Sequence, residues 1–289
     1  MTHGDLIKKL RKERNMTQMQ LAADISSRTT LSSFENNRSR VSSDLLFAYL
    51  ERMNISIQEY LFYFNNNSST EKERITQYFY DNVVKSTDRE ILNRIIDYRA
   101  KYNNSHDFYF CCLSIELKLF LNHKQDKNIF DVEEDITIVK KYLERVQQWG
   151  HFEMSLFSNC LYVFSNDYIR GTFSTLLKRT KIISKIDTYQ NDIAIFLNNC
   201  IILSFERQQL QDTNFFVAQL YKLSADTPRK AYDRLMCNFY EELIKCLRGN
   251  QNNLSIPISR FEELGFVEHV AELKKFVSRI STIYNSKTA

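Results

Sequence analysis

Residues 17–40, TQMQLAADISSRTTLSSFENNRSR, constrain the fold more than any other stretch of the chain. Thr17 and Gln20 have the spacing of a capping box that starts a helix. Leu21, Ala22 and Ile25 give that helix a short apolar stripe. Ser27 is placed to cap a second helix, in which Leu31 and Phe34 lie three apart and face inward together. Two short capped helices joined by a tight turn form the helix-turn-helix layout. The face opposite Leu31 and Phe34 carries Thr29, Ser32, Ser33 and Asn36, with Arg28 at the helix start. Small hydroxyls, an amide and an arginine are the groups that read base edges, whereas an ordinary exposed helix favours Glu–Lys pairs.

From Leu6 to Arg40 there are eight basic residues against three acidic ones, a net +5, which exceeds the +4 of the whole chain. Positive charge concentrated this way supplies phosphate affinity and steering. The K-K-x-R-K-x-R run at 8–14 would by itself be a solvated helix face; beside a capped two-helix unit it points to nucleic acid. Arg11, Arg14, Gln18 and Arg38 are the candidates for phosphate contacts, and Arg28, Thr29, Ser32, Ser33 and Asn36 for bases, with Thr17 completing the DNA-binding set.

With only two prolines and five glycines in 289 residues, the chain favours long helices over a turn-rich β fold. No segment approaches the roughly 18 uninterrupted apolar residues of a membrane span, and the N-terminus lacks the apolar core of a signal peptide. The six cysteines form no C-x-x-C and no cluster with histidine, so they read as reduced, mostly buried thiols of a cytoplasmic protein without metal. Residues 1–64 form the first domain. Asn65-Asn66-Asn67-Ser68-Ser69 is too polar to bury, so 65–70 reads as a linker and 71–289 as a second domain. Thr70 and Glu73 make another capping box. The patterning predicts helices over 71–84, 88–102, 107–123, 132–148, 151–166, 168–184, 188–206, 209–224, 228–248 and 267–284, with Thr227-Pro228 as a cap followed by proline at the first helical position.

An internal repeat lies within this helical region. Phe157-Ser158-Asn159-Cys160-Leu161 recurs 40 residues later as Leu197-Asn198-Asn199-Cys200-Ile201, and more faintly after a further 39 as Cys237-Asn238-Phe239-Tyr240. Cys111-Cys112-Leu113 reads as a degenerate upstream copy. That period fits a tetratricopeptide-like helix pair, and copies on every second helix occupy equivalent positions along one side of a right-handed α-solenoid. Asn159, Asn199 and Asn238 would then offer donors and acceptors to the backbone of an extended peptide. Tyr162, with Phe157, Phe196, Phe239 and Tyr240, would hold its apolar side chains. The alternative is that these asparagines bond the preceding turn or water.

The runs LRKERNMTQMQLA, SRTTLSSFENN and Ser42-Ser43-Asp44-Leu45-Leu46 resemble the DNA-binding domain of the Rgg/GadR/MutR transcriptional regulators, of the lambda-repressor-like class. The match covers about residues 5–62. Ser33 stands where the family usually has arginine, and Asn37 where it has glycine; asparagine tolerates the left-handed turn. The resemblance implies an all-α protein: a helix-turn-helix domain followed by a tetratricopeptide-like domain that binds a short hydrophobic pheromone peptide in quorum sensing. It also implies a homodimer on an imperfectly palindromic promoter site, without a cofactor.

No Gly-rich phosphate loop, G-x-S-x-G or H-E-x-x-H is present, and the five histidines are scattered, so enzymatic chemistry has no motif to stand on. His151, after Trp149-Gly150, reads as a helix start, and the acidic residues of 131–135 as a helix N-terminus. Two other readings stay open: a ligand-independent dimeric repressor, and a tetratricopeptide protein–protein adaptor.

Overall fold

A computed structural model describes residues 1–65, 70–179, 187–225, 228–249 and 253–286, apart from the side chains of 79–81, 177–179 and 187–189. Among these residues every regular element is helical. The chain divides into two compact units, Met1–Thr87 and Asp88–Ala289. The linker expected at 65–70 falls largely on 66–69, outside the described residues.

The first unit contains α1 (His3–Glu13), α2 (Gln18–Ala22), α3 (Arg28–Glu35), α4 (Ser43–Arg52), α5 (Ile57–Phe64) and α6 (Glu71–Asn82). Each begins on a hydroxyl: Thr2, Thr17, Ser27, Ser42, Ser56 and Thr70 accept a bond from a backbone N–H of the first turn. The boxes expected at Thr17–Gln20 and Thr70–Glu73 are closed in both directions. Between helices the chain reverses through left-handed residues, Asn15, Asp24, Asn37 and Asn54, the side-chain types that tolerate a positive φ. Leu6, Ile7 and Leu10 of α1, Leu21 of α2, Leu31 and Phe34 of α3, and Tyr49 and Leu50 of α4 share one core. Gly4 lets α1 meet α3: a Cβ there would lie 2.1 Å from the Phe34 carbonyl oxygen.

The second unit contains α7 (Asp88–Ser105), α8 (Phe108–Gln125), α9 (Glu133–Arg145), α10 (His151–Asn159), α11 (Asn166–Arg179), α12 (Asp187–Glu206), α13 (Leu210–Leu223), α14 (Ala231–Leu247), α15 (Ser255–Glu263) and α16 (Val267–Asn285). Helix α7 packs on α8, α8 on α10, α10 on α12, α12 on α13, and α13 on α14; α16 returns to α12 and α14. The repeated cysteines fall on α8, at the end of α10, on α12 and on α14, every second helix as expected. Cys111, Cys112, Cys160, Cys200 and Cys237 belong to one apolar core with Trp149, Phe157, Phe173, Phe196, Phe216 and Phe239. Burying each such phenylalanine is worth about 1.5–3 kcal/mol, the main source of the array's stability.

The structure departs from the predicted pattern at three places. The helix expected over 151–166 stops at Asn159, passes through a 3₁₀ turn at Leu161–Val163, and resumes as α11. Arg207, at the end of α12, donates Nη1 to the Phe164 carbonyl at 2.8 Å and Nη2 to the Tyr162 carbonyl at 2.9 Å. The carbonyls a continuous helix would satisfy internally are therefore held from another element. Helix α15 was not predicted; Pro257 in its first turn masks a short apolar face of Pro257, Ile258 and Phe261. Thr227 of the expected cap lies outside the described residues, and α14 begins at Ala231, after a 3₁₀ turn at Pro228–Lys230.

Candidate functional site

The helix-turn-helix is organised around a buried ion pair. Arg11 donates Nε to Glu35 Oε1 at 2.6 Å and Nη2 to Oε2 at 2.8 Å, while its Nη1 reaches the Met16 carbonyl at 2.6 Å. Gln18 Nε2 donates to the same Glu35 oxygen at 2.8 Å. Burial acts to raise the Glu35 carboxyl, but the bonds from Arg11 and Gln18 and the charges of Arg11 and Lys8 outweigh it and hold it below the ordinary carboxylate range. This bidentate pair ties the end of α3 to α1, and the Gln18 bond ties it to the start of α2.

That geometry divides the expected DNA-contacting residues. Arg11 is buried and fully engaged, so its guanidinium holds the domain together instead of meeting a phosphate. Gln18 spends its amide N–H on Glu35. Arg14 donates Nε to the Met53 carbonyl at 2.8 Å and Nη1 to the Leu10 carbonyl at 3.2 Å, closing the ends of α4 and α1. Thr17 caps α2. Asn36 accepts from Lys8 Nζ at 2.9 Å and donates to the Ser32 carbonyl at 2.8 Å, so both ends of its amide are used. Arg28, Thr29, Ser32, Ser33 and Arg38 keep side chains with no partner among the described residues; Arg28, Thr29 and Arg38 are exposed and the two serines half-buried. Residues 28, 29, 32 and 33 share one side of α3, opposite buried Leu31 and Phe34. Arg52, which sequence reasoning passed over, donates to the Ala23 carbonyl and clamps the end of α2 to α4.

In the second unit the repeat asparagines are not equivalent. Asn159, exposed, donates Nδ2 to Glu116 Oε2 on α8 at 2.9 Å. Asn198, not Asn199, bridges α12 to α14: it accepts from the Tyr240 hydroxyl at 2.9 Å and donates to the Ala194 carbonyl at 2.8 Å. Asn199 and Asn238 are half-buried and their side chains make no hydrogen bond among the described residues. Tyr162 stacks on His123, with ring centroids 4.6 Å apart, and its buried hydroxyl has no partner among the described residues. Phe157, Phe196, Phe239 and Tyr240, expected to hold peptide side chains, are all core: Phe157 stacks on Phe196 at 5.4 Å, and none of the four is more than 2 % exposed. Apolar surface that four rings bury against neighbouring helices is withdrawn from any ligand.

Glu116, hidden on α8 beneath Asn159, was missed because a single glutamate in an apolar run gives no sequence signal. Burial pushes its carboxyl up to about 8, opposed only by the Asn159 bond. Burial likewise pushes up the Cys112, Cys160 and Cys200 thiols.

A DNA-reading head followed by an array of helix pairs defines a class of two-part regulators, and the comparisons make the assignment specific. The model of the HTH-type transcriptional regulator Rgg, C-terminal domain, matches residues 92–274, and a helix-turn-helix model matches 7–60. The chain belongs to the Rgg family of helix-turn-helix transcriptional regulators. Its fold is similar to that of a protein from Listeria monocytogenes EGD-e, with TM-score 0.80, 18% identity, and coverage of 96% of this chain and 97% of that one. It is also similar to the Streptococcus dysgalactiae SHP pheromone receptor Rgg2, with TM-score 0.73, 21% identity and coverage of 96% and 98%. Against PrgX in its complex with iCF10 the TM-score is 0.72, at 17% identity and 96% coverage of each chain. The protein is therefore a DNA-binding helix-turn-helix regulator, in a family of transcription factors and not of enzymes.

Proposed function

We propose that this regulator is a cytoplasmic homodimer that reads an imperfectly palindromic promoter site and responds to a short hydrophobic signalling peptide. Residues 1–64 read DNA, 65–70 connect, and 71–289, of which 71–87 belong to the first compact unit, sense and dimerise. Two α3 helices enter successive major grooves about one helical turn apart. Arg28, Thr29, Ser32 and Ser33 face the bases, and Arg38 with the side of Thr17 and Gln18 faces phosphate. Among the described residues no helix is long and apolar enough to cross a membrane, which is consistent with a cytoplasmic place.

The observation that carries the peptide reading is the state of the repeat asparagines. Asn199 and Asn238 have unbonded side-chain amides on alternate helices, and exposed Asn159 uses only its amide N–H, on Glu116, among the described residues. An extended peptide presents a donor and an acceptor at each residue, so such amides complement it. The similar fold of an SHP pheromone receptor and of PrgX complexed with iCF10 supports the same reading. The bonds Asn159–Glu116 and Asn198–Tyr240 favour the second reading, a ligand-independent dimeric repressor in which the repeat amides only join helices.

Calorimetry separates the two. Short hydrophobic peptides secreted by the producing cell are titrated into wild-type protein and into Asn199→Ala and Asn238→Ala. Saturable heat that weakens in both variants is expected; equal heats in all three proteins would remove the asparagine face, and no heat would favour the ligand-independent repressor. Operator preference is tested with Arg28→Ala, which should relax site discrimination by about 1–3 kcal/mol.

A further inference from the structure

Which bases α3 can read is decided by the side chains that the fold has not already used. Three pairings read base edges in the major groove by hydrogen bonds: arginine with guanine, asparagine or glutamine with adenine, and a carboxylate with cytosine. The adenine pairing needs both ends of one amide at once, a donor for N7 and an acceptor for the N6 amino group.

No side-chain amide between Thr17 and Arg40 keeps both ends free. Asn36 gives its oxygen to Lys8 and its nitrogen to the Ser32 carbonyl. Asn37 is held in the same way, by Thr2 and Asp5. Gln18 has spent its nitrogen on Glu35, and Gln20 its oxygen on the Thr17 N–H. Glu35, the one acid of α3, is buried against Arg11 and reaches no cytosine.

The outward side of α3 still offers one guanidinium, Arg28, and three hydroxyls, those of Thr29, Ser32 and Ser33. A hydroxyl both donates and accepts, so it suits any base and discriminates little. Thr29 adds a methyl group, which packs on the 5-methyl of thymine. Arg28 and Thr29 are the first two residues of α3, and the start of a recognition helix is the part that meets base edges.

We infer that this regulator reads a half-site with a single hydrogen-bonded guanine, selected by Arg28, and a neighbouring thymine met by the Thr29 methyl. At no position does an amide select adenine, and the remaining preference comes from DNA shape. The inference rests on the proposed entry of α3 into the major groove.

Duplexes selected by the full-length protein from a random-sequence pool should show one sharp guanine and one adjacent thymine per half-site. Arg28→Ala should cut discrimination for that guanine about five- to 150-fold and leave the rest of the pattern. Arg28→Gln supplies an unspent amide at the same place and should convert the guanine to adenine. A phosphate role for Arg28 predicts otherwise: equal weakening on every sequence, a smaller salt slope and no conversion. Deoxyuridine in place of the thymine removes one methyl group and should weaken wild-type binding about fourfold. In Thr29→Ser, which keeps the hydroxyl, the same replacement should change nothing. Asn36→Ala should select the wild-type pattern. Failure of the wild-type protein to select any site would overturn the groove reading and the inference with it. A selected site whose guanine survives Arg28→Ala, an adenine lost in Asn36→Ala, or an equal deoxyuridine effect in Thr29→Ser would overturn the inference alone.

Discussion

At Glu35 two effects oppose each other: burial favours the neutral acid, and the Arg11 guanidinium with the Gln18 amide favours the anion and prevails. Because the folded value lies below the ordinary 4.5, the pair contributes stability above that pH and loses it as pH falls through the folded value. Arg11→Ala leaves a buried charge unpaired and should cost about 3–5 kcal/mol in urea unfolding of the first unit, whereas a phosphate-contacting arginine would cost almost nothing. Glu116 behaves in the opposite sense. Its folded value of about 8 lies above 4.5, so its contribution is fully present below 4.5 and declines as pH rises towards 8. Glu116→Gln should flatten that part of the stability–pH curve; an unchanged slope would show that another group titrates there. Part of this was legible in the sequence. Arg11 lies four residues after Ile7, on the inward side of α1, although the basic run around it has the composition of a solvated face. Its partner 24 residues ahead could not be read from spacing, because ion pairing is set by how two helices cross.

Helices were more legible than the contacts between them. Hydroxyl caps marked the starts of α2, α3 and α6 because capping is a local bond, decided within four residues. The interruption between α10 and α11 was not legible, since the arginine that holds it open comes 41 residues after Asn166. Close approach of helices was equally hidden. Gly4 looks like a helix-weakening residue in α1, but the Phe34 carbonyl leaves no room for a methyl group. Gly4→Ala should therefore destabilise the first unit by about 1–3 kcal/mol despite alanine's better helix propensity. Gly171→Ala in α11 meets no neighbour and should stabilise by about 0.5–1 kcal/mol. Denaturant midpoints of the two variants, moving in opposite directions, would check both statements.

For the molecule as a whole, charge is partitioned. Leu6–Arg40 carries +5 while the entire chain carries +4, so attraction to DNA originates in that segment and the rest of the chain sums to −1. Affinity should fall steeply with salt, and Arg38→Ala should reduce the log–log slope by about 0.9 if that guanidinium neutralises one phosphate. A slope identical to wild type would place Arg38 off the backbone.

The burial of the thiols has a practical consequence. Of six cysteines, five are buried within the α8–α14 core and only Cys246, on α14, is partly accessible. A thiol-reactive dye should label the native chain once and the denatured chain six times. The protein thus carries its own attachment point, and a donor and an acceptor fluorophore placed there in two copies would report, without any engineered mutation, whether the copies associate and how their separation changes as DNA or a signalling compound is added.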